Sequence, residues 1–264
     1  MPEGPEVKIA ADYFNNFFSN SNKLEFVIIT DYYLEKYNDV FIEINKRIKE
    51  LQPMYVIGKN LFLNIDKELI FNFHLGMTGG WSNKLVKHCH FYISDGSKKL
   101  YFKDVRKFGK MRIINQLLFA SKFVDKFDLL NKKYDFEKHI DFLNKKIIGK
   151  KSICSILMNQ GYFPGVGNYI KSESLYASKL HPEKPWKSMS KWEKINLIQN
   201  LRNIMHKSYI SGGAELKDFK NPFSKSKFKL KIYGKKFTSK KDIVTSKITS
   251  DYRKTWFCTK SQKL

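Results

Sequence analysis

The stretch LFLNIDKELIFNF, residues 61–73, holds two apolar runs of strand length, Leu61–Ile65 and Leu69–Phe73. Short runs rich in aromatic and β-branched side chains read as strands. The same texture continues outward, with Phe26–Ile29 before it and His90–Ile93, Lys99–Phe102 and Lys110–Ile114 after it. Gly79-Gly80 and Asp95-Gly96 supply turn signals between several of these runs. Strands at this spacing predict an antiparallel sandwich or barrel over residues 24–118. Residues 39–50 fit a strand or a helix, and both readings stay open.

On either side the periodicity changes. Residues 5–18, PEVKIAADYFNNFF, place Val7, Ile9, Ala10, Tyr13, Phe14, Phe17 and Phe18 at helical spacing, with Pro5 at an early position where its missing N–H costs nothing. Beyond residue 120 the pattern predicts helices over 121–130, 135–146, 152–159, 168–178 and 189–208. Ser190 with Glu193 three residues on is a capping-box signature for the last of these. Residues 209–227 read as loop, with Gly212-Gly213 and Asn221-Pro222. The remainder reads as a β-hairpin, 228–236 pairing with 245–258. The fold class is therefore α+β: an antiparallel β-sandwich opened by a helix, an all-α part, and a terminal hairpin. The expected domains are 1–120, 121–216 and 217–264.

The first six residues, MPEGPE, carry a possible chemistry. With Met1 removed, Pro2 becomes a free secondary amine, and its attack on an aldehyde-level carbon gives an iminium, cationic at every pH. An α-amino group has an unperturbed pKa of about 7.7–8.0, so a useful fraction is neutral near neutrality, and a helix start beside it further disfavours protonation. Glu3 would sit next to this nucleophile, where a carboxyl group can shuttle protons. From these residues alone, the alternative that Pro2 and Pro5 merely stiffen a start segment stands equally open.

Charge narrows the partner. Across 264 residues the formal net charge is +24, which suits a polyanion far better than a small molecule. Residues 217–264 alone carry 15 Lys/Arg against 3 Asp/Glu. Aromatic and branched residues interleave with these charges (Phe228, Leu230, Ile232, Tyr233, Phe237, Ile243, Val244), which favours a folded basic element over a solvated tail. A nucleic acid is the expected partner and a membrane is not, since no run of about 18 apolar residues occurs. Cys89, Cys154 and Cys258 are too few and too dispersed for a disulfide framework or a paired-cysteine zinc site. An intracellular protein, in the nucleus or cytoplasm and not secreted, is expected, without a cofactor.

Four separated segments then combine: PEGPEV at 2–7; GKNLFL at 58–63; HLGMTG at 74–79 with DVRKFGKM at 104–111; and FPGVGNYIKSESLYASKLHP at 163–182. Together, and in this order along essentially the whole chain, they resemble the formamidopyrimidine-DNA glycosylase/endonuclease VIII family of base-excision repair enzymes. The resemblance implies a β-sandwich domain carrying the catalytic proline, a helix-two-turns-helix domain, and a two-stranded finger. The implied activity is that of a bifunctional glycosylase and abasic-site lyase, acting as a monomer on double-stranded DNA with oxidised bases or abasic sites; single-stranded DNA stays open as a second substrate.

The resemblance also implies roles. Pro2 is the nucleophile, Glu3 the proton shuttle at the deoxyribose ring oxygen, and Glu6 a supporting group. Lys59 is the lysine that contacts phosphate and lesion, although a lysine after a glycine is ordinarily solvent-facing. Met77, Arg106 and Phe108 match the set that fills the void left by a flipped base, where a thioether, a guanidinium and a ring are sensible plugs. By burial preference alone Met77 and Phe108 read as core. Arg106 and Phe108, two apart, share one side if the segment is extended. Asn168 opens a helix after Gly165-Val166-Gly167, where it is either an N-cap or a phosphate holder.

The end of the chain departs from the pattern. Many members build the finger on four cysteines; here only Cys258 stands in the corresponding region, and Ser261 takes the last ligand's place. One thiolate cannot make a tetrahedral zinc site, so no metal is expected. His88 and His90 would share a face of an alternating strand but lack a third ligand. Arg253 falls at the finger arginine that clamps the phosphate beside the lesion, a role suited to a bidentate guanidinium. The zincless finger points to the endonuclease VIII-like branch, which favours oxidised pyrimidines and hydantoins. An 8-oxoguanine or formamidopyrimidine preference and an inactive damaged-DNA binder are the alternatives. A ribosomal or RNA-associated protein has no use for a free N-terminal proline.

Overall fold

The computed structural model describes residues 1–123, 127–215 and 228–264. These divide into two compact units: residues 1–2 with 6–123, and residues 3–5 with 127–215 and 228–264. Among the described residues no helix is long and apolar enough to cross a membrane.

The first unit opens with α1 (Gly4–Phe17) and β1 (Glu25–Ile28), followed by α2 (Asp31–Arg47). Seven strands follow: β2 (Tyr55–Ile57), β3 (Asn60–Asn64), β4 (Leu69–His74), β5 (Gly79–Ser82), β6 (Cys89–Ser94), β7 (Lys99–Asp104) and β8 (Lys110–Asn115). They form two antiparallel sheets, ordered β1-β6-β7-β5 and β2-β3-β4-β8. Phe91, Ile93, Leu100 and Phe102 of one sheet and Leu61, Leu63, Phe71 and Phe73 of the other belong to one core, together with Val7 and Phe14 of α1 and Tyr33, Phe41 and Ile44 of α2. The expected sandwich with a leading helix is thus present.

The centre of β3, Leu61–Leu63, reads as an unbroken apolar run because both of its faces are covered. Leu61 and Leu63 face the shared core, while Phe62, with Ile57, Ile70 and Ile114, packs under Phe119 and Phe123. Phe119 belongs to α3 (Gln116–Lys122) and Phe123 is its C-cap. The helix expected at 121–130 therefore begins earlier, because the Asn115 side chain caps it by accepting from Leu118 N. Residues 39–50 resolve as helix through Arg47, the C-terminal part of α2. Gly79-Gly80 is not a turn but the start of β5. A Cβ at Gly79 would lie 2.1 Å from the Leu75 carbonyl oxygen, so glycine serves close packing there.

The second unit contains α4 (Phe136–Lys146), α5 (Ile153–Met158), α6 (Asn168–Ala177) and α7 (Lys191–Ile210). Side chains cap three of them: Asp135, Ser152 and Ser190, the last completing the expected capping box with Glu193. Helix α6 packs on α7 and is buried nearly all round, Lys171, Ser172, Glu173 and Ser174 included. Such a helix belongs to an interior, and its charged side chains need built partners.

The terminal hairpin differs from expectation. Its strands are β9 (Thr245–Ile248) and β10 (Lys254–Phe257), both within the arm read as 245–258. The arm read as 228–236 is not a strand, because its amides turn elsewhere. The N–H groups of Lys231, Ile232 and Tyr233 all donate to the Glu173 carboxylate, at 2.9–3.0 Å. The expected loop at 209–227, with Asn221-Pro222, lies largely outside the described residues.

Candidate active site

In the first unit Pro2 and Glu6 are buried, Glu6 completely. Lys59 occupies the two-residue connection between β2 and β3, where Gly58 takes φ 62°. A hairpin of this length demands a positive φ, which glycine adopts without strain. Lysine at such a tip is ordinarily exposed, yet Lys59 is only 8% exposed. A lysine buried at a hairpin tip departs from the ordinary burial preference of that residue.

His74, at the end of β4, shares this region. Burial first, and then the charges of Lys59 and Lys110, hold its imidazole below the usual histidine pKa. Its Nδ1 accepts the Gly76 N–H at 3.0 Å, so the neutral ring carries its proton on Nε2 and can donate from there. The motif HLGMTG contained this residue, but a lone histidine at a strand end carries no functional signal until Lys59 is beside it.

Met77, Arg106 and Phe108 are brought onto one platform. Asp104, fully buried, accepts from Thr78 Oγ1 at 2.5 Å and from Gly109 N at 2.7 Å. The Arg106 N–H donates to Thr78 Oγ1 at 3.0 Å. Gly76 (φ 70°) lies so close to Phe108 that an added Cβ would meet its carbonyl carbon at 2.5 Å. The turn bearing Met77 and the loop bearing Arg106 and Phe108 are therefore locked together. The loop is not extended, since Lys107 takes φ 56°. The two side chains meet nonetheless, with the Arg106 guanidinium 4.7 Å from the Phe108 ring centroid. Phe108 is 47% exposed and Met77 half-buried, so neither is core.

The histidine pair near Cys89 dissolves. His88 takes φ 70° ahead of β6, which breaks the alternation that would put both rings on one face. His90 is a core residue, stacked on Tyr33 at 4.4 Å and bonded through Nε2 to the Asp104 carbonyl at 2.9 Å.

In the second unit Glu3 caps α6. Its carboxylate accepts from Tyr169 N at 2.9 Å and Ile170 N at 3.2 Å, a location where a helix favours negative charge. Gly4 N donates to the Gly165 carbonyl at 2.8 Å, and a Cβ on Gly4 would lie 3.1 Å from Gly165 Cα. The N-cap residue is Gly167, not Asn168, which is the first helical residue. Asn168 Nδ2 donates to the Lys254 carbonyl at 2.9 Å, tying the helix start to β10 beside Arg253. Arg253 itself is exposed.

Cys258 is buried, and its backbone N–H donates to Gln262 Oε1 at 2.8 Å, while Gln262 Nε2 donates to the Leu180 carbonyl at 2.8 Å. A side-chain amide thus closes the region that thiolates would occupy around a zinc ion. The donor set here does not fit that metal: one thiolate, with no cluster of three His, Cys, Asp or Glu among the described residues.

Sequence and fold comparisons agree with this geometry. Residues 1–111 match the model of the formamidopyrimidine-DNA glycosylase N-terminal domain, and residues 128–220 that of the formamidopyrimidine-DNA glycosylase H2TH domain. A formamidopyrimidine-DNA glycosylase of Rickettsia conorii is 30% identical over 280 residues, 98% of each chain. One from Zymomonas mobilis is 30% identical over 211 residues, 75% of this chain and 76% of its own. Among solved structures, MutM in complex with DNA containing carbocyclic 8-oxo-G superposes with a TM-score of 0.81 at 23% identity over the whole of both chains. The Lactococcus lactis Fpg with abasic-site DNA gives 0.82 at 22% identity, covering 99% of this chain and 100% of its own.

Proposed function

Because this chain belongs to the formamidopyrimidine-DNA glycosylase family, we propose that it excises oxidised bases from DNA and cuts the strand at the site it leaves. The nitrogen of Pro2 attacks C1′ of the damaged nucleotide, the bond from C1′ to the base breaks, and the base departs with a proton. As the iminium forms, the Glu3 carboxylate takes the N–H proton of Pro2 and passes it to the deoxyribose ring oxygen, so that the sugar opens. The proton on the departing base comes from solvent. The iminium then acidifies the C2′ hydrogen. Loss of that proton expels the 3′ phosphate, and a second elimination expels the 5′ phosphate. Lys59 and Glu6 support the reacting centre, Met77, Arg106 and Phe108 fill the void in the duplex, and Asn168 and Arg253 hold the flanking phosphates.

The observation that carries this reading is the fixation of Glu3. A buried carboxylate directly after the nucleophile is gripped by two backbone N–H groups at a helix start, and pre-set geometry is what proton transfer needs. The segments bearing Met77, Arg106 and Phe108 support it independently, since their backbones are tied together and Arg106 packs on the exposed Phe108 ring.

The single-cysteine finger favours oxidised pyrimidines and hydantoins as substrates. The names of the curated relatives favour a formamidopyrimidine and 8-oxoguanine preference as the second reading. Borohydride trapping on an abasic-site duplex tests the chemistry. Protein with a free Pro2 gives a covalent adduct, while Pro2→Thr or retention of Met1, which leaves Pro2 only an amide nitrogen, gives none. A wild-type protein with a verified free Pro2 and no adduct would sink the enzyme reading in favour of a damaged-DNA binder. On single-lesion duplexes at fixed salt, 5-hydroxyuracil is cut faster than 8-oxoguanine opposite cytosine; the reverse order overturns the branch assignment.

A further inference from the structure

The turn joining β9 to β10 is tied to the helical part almost residue by residue. Ser250 donates from N and from Oγ to the two Glu183 carboxylate oxygens, at 2.8 Å each. The Lys254 carbonyl accepts from Asn168, as above. Between them lies a buried ion pair: Lys171 Nζ stands 2.5 Å from Asp251 Oδ2 and 2.7 Å from Thr255 Oγ1, with Lys171 0% and Asp251 3% exposed by side chain. Thr255 Oγ1 lies 2.6 Å from Thr249 Oγ1, and Thr249 donates onward to Asp251 and to the Arg253 carbonyl. The ammonium's two neighbours are Asp251 of the turn and Thr255 of β10. Tyr252, at φ 58° and 91% exposed, and Arg253 are exposed on the turn, with Lys254 exposed at the start of β10.

A buried ion pair is a poor way to gain stability, because desolvation of both charges offsets most of the attraction. Its better attested use is to fix register, since a displaced partner leaves a bare charge inside the protein. Here the pair joins the middle of α6 to the residue two before Arg253. The same helix holds the other root of the finger through Glu173, which gathers the amides of Lys231, Ile232 and Tyr233.

We propose that Lys171, paired with Asp251, is the positioning residue of the finger: it fixes the turn 249–255 so that Arg253 projects toward DNA, in place of a metal. This rests on the reading of Arg253 as a phosphate clamp. Lys171 touches no substrate and acts only through Arg253.

The test is a double-mutant cycle on equilibrium binding to a duplex with a tetrahydrofuran abasic analogue, at fixed salt and below every variant's melting onset. Lys171→Met and Asp251→Asn each weaken binding about tenfold in the wild-type background, within the range of coupling between contacting residues. In an Arg253→Ala background they change it by less than about twofold, because the group they position is gone. Asp251→Asn keeps the volume and two hydrogen-bonding atoms, and Thr255→Val removes one hydroxyl, so the cycle closes even where Lys171→Met fails to fold. Equal losses in both backgrounds would reduce Lys171 to general stability and overturn the proposal, as would wild-type binding by Asp251→Asn. If Arg253→Ala alone binds like wild type, the clamp reading itself falls, and the positioning role falls with it.

Discussion

Gly167→Ala isolates one contact at the centre of the proposed reaction. Gly167 has φ −133° and ψ −161°, an extended conformation open to any residue, so alanine brings no backbone strain. Space is the obstacle. An added Cβ would lie 2.2 Å from Glu3 Cδ and 2.4 Å from Oε1, where ordinary contact begins at 3.4 Å. The carboxylate must retreat by about 1 Å, and bonds now at 2.9 and 3.2 Å to Tyr169 and Ile170 then pass beyond hydrogen-bonding range. Charge-assisted bonds contribute about 1.5–3 kcal/mol each, so the loss lies near 3 kcal/mol if the helix start relaxes and about twice that if it does not. Displacement of a catalytic group by this much costs roughly a hundredfold in rate. Single-turnover excision of a lesion should fall by about that factor, whereas cleavage of a preformed abasic site, whose sugar is already partly ring-opened in water, should fall less. The melting temperature drops alongside. A Gly167→Ala protein that melts and excises like wild type would show that Glu3 is not held where the reaction needs it.

Two further outcomes follow from named groups. His139 is buried between Phe127 and Phe163, with Nε2 on the Tyr162 carbonyl and Nδ1 on the Tyr134 hydroxyl, and burial pushes its pKa down to about 4. The unfolded chain binds this proton with a pKa of about 6.5, so stability is full above that value, falls as the pH drops from there towards 4, and has lost about 2 kcal/mol by pH 5. Urea melts at pH 7 and pH 5 measure this. His139→Gln should flatten the difference, and an unchanged difference would assign the acid sensitivity elsewhere. Extended dialysis against a strong chelator should leave DNA affinity and melting unchanged; a loss restored by zinc would refute the reading of the finger.

The strands were legible wherever aromatic and branched residues clustered, because burial on two faces of β3 demands such residues at every position. Gly79-Gly80 misled because glycine serves a turn and a close approach equally well, and only the Leu75 carbonyl in space decides between them. The 228–236 arm has strand-like composition, but a carboxylate nearly sixty positions away takes its amides, and nothing local announces that. Ordered motifs singled out Pro2, Glu3 and the Met77, Arg106, Phe108 set as candidates. The residues that hold the site and the finger were not legible: Asp104, Lys171, Glu173 and Gly167 acquire meaning only from partners distant in sequence. A lysine and a glutamate two apart on a helix read as solvated charges until the helix proves to be buried.

The closure of the finger by side-chain amides, carboxylates and an ammonium has a chemical consequence. Thiolate ligands climb the oxidation ladder to sulfenic and sulfinic acids under the same oxidants that damage bases, and a zinc clamp built on them loosens as the lesions accumulate. Amide, carboxylate and ammonium groups have no such ladder, and the two thiols among them, Cys258 and Cys154, the latter 3.3 Å from Ser250 Oγ, are both buried. The anchoring of this finger therefore rests on groups that such oxidants leave intact.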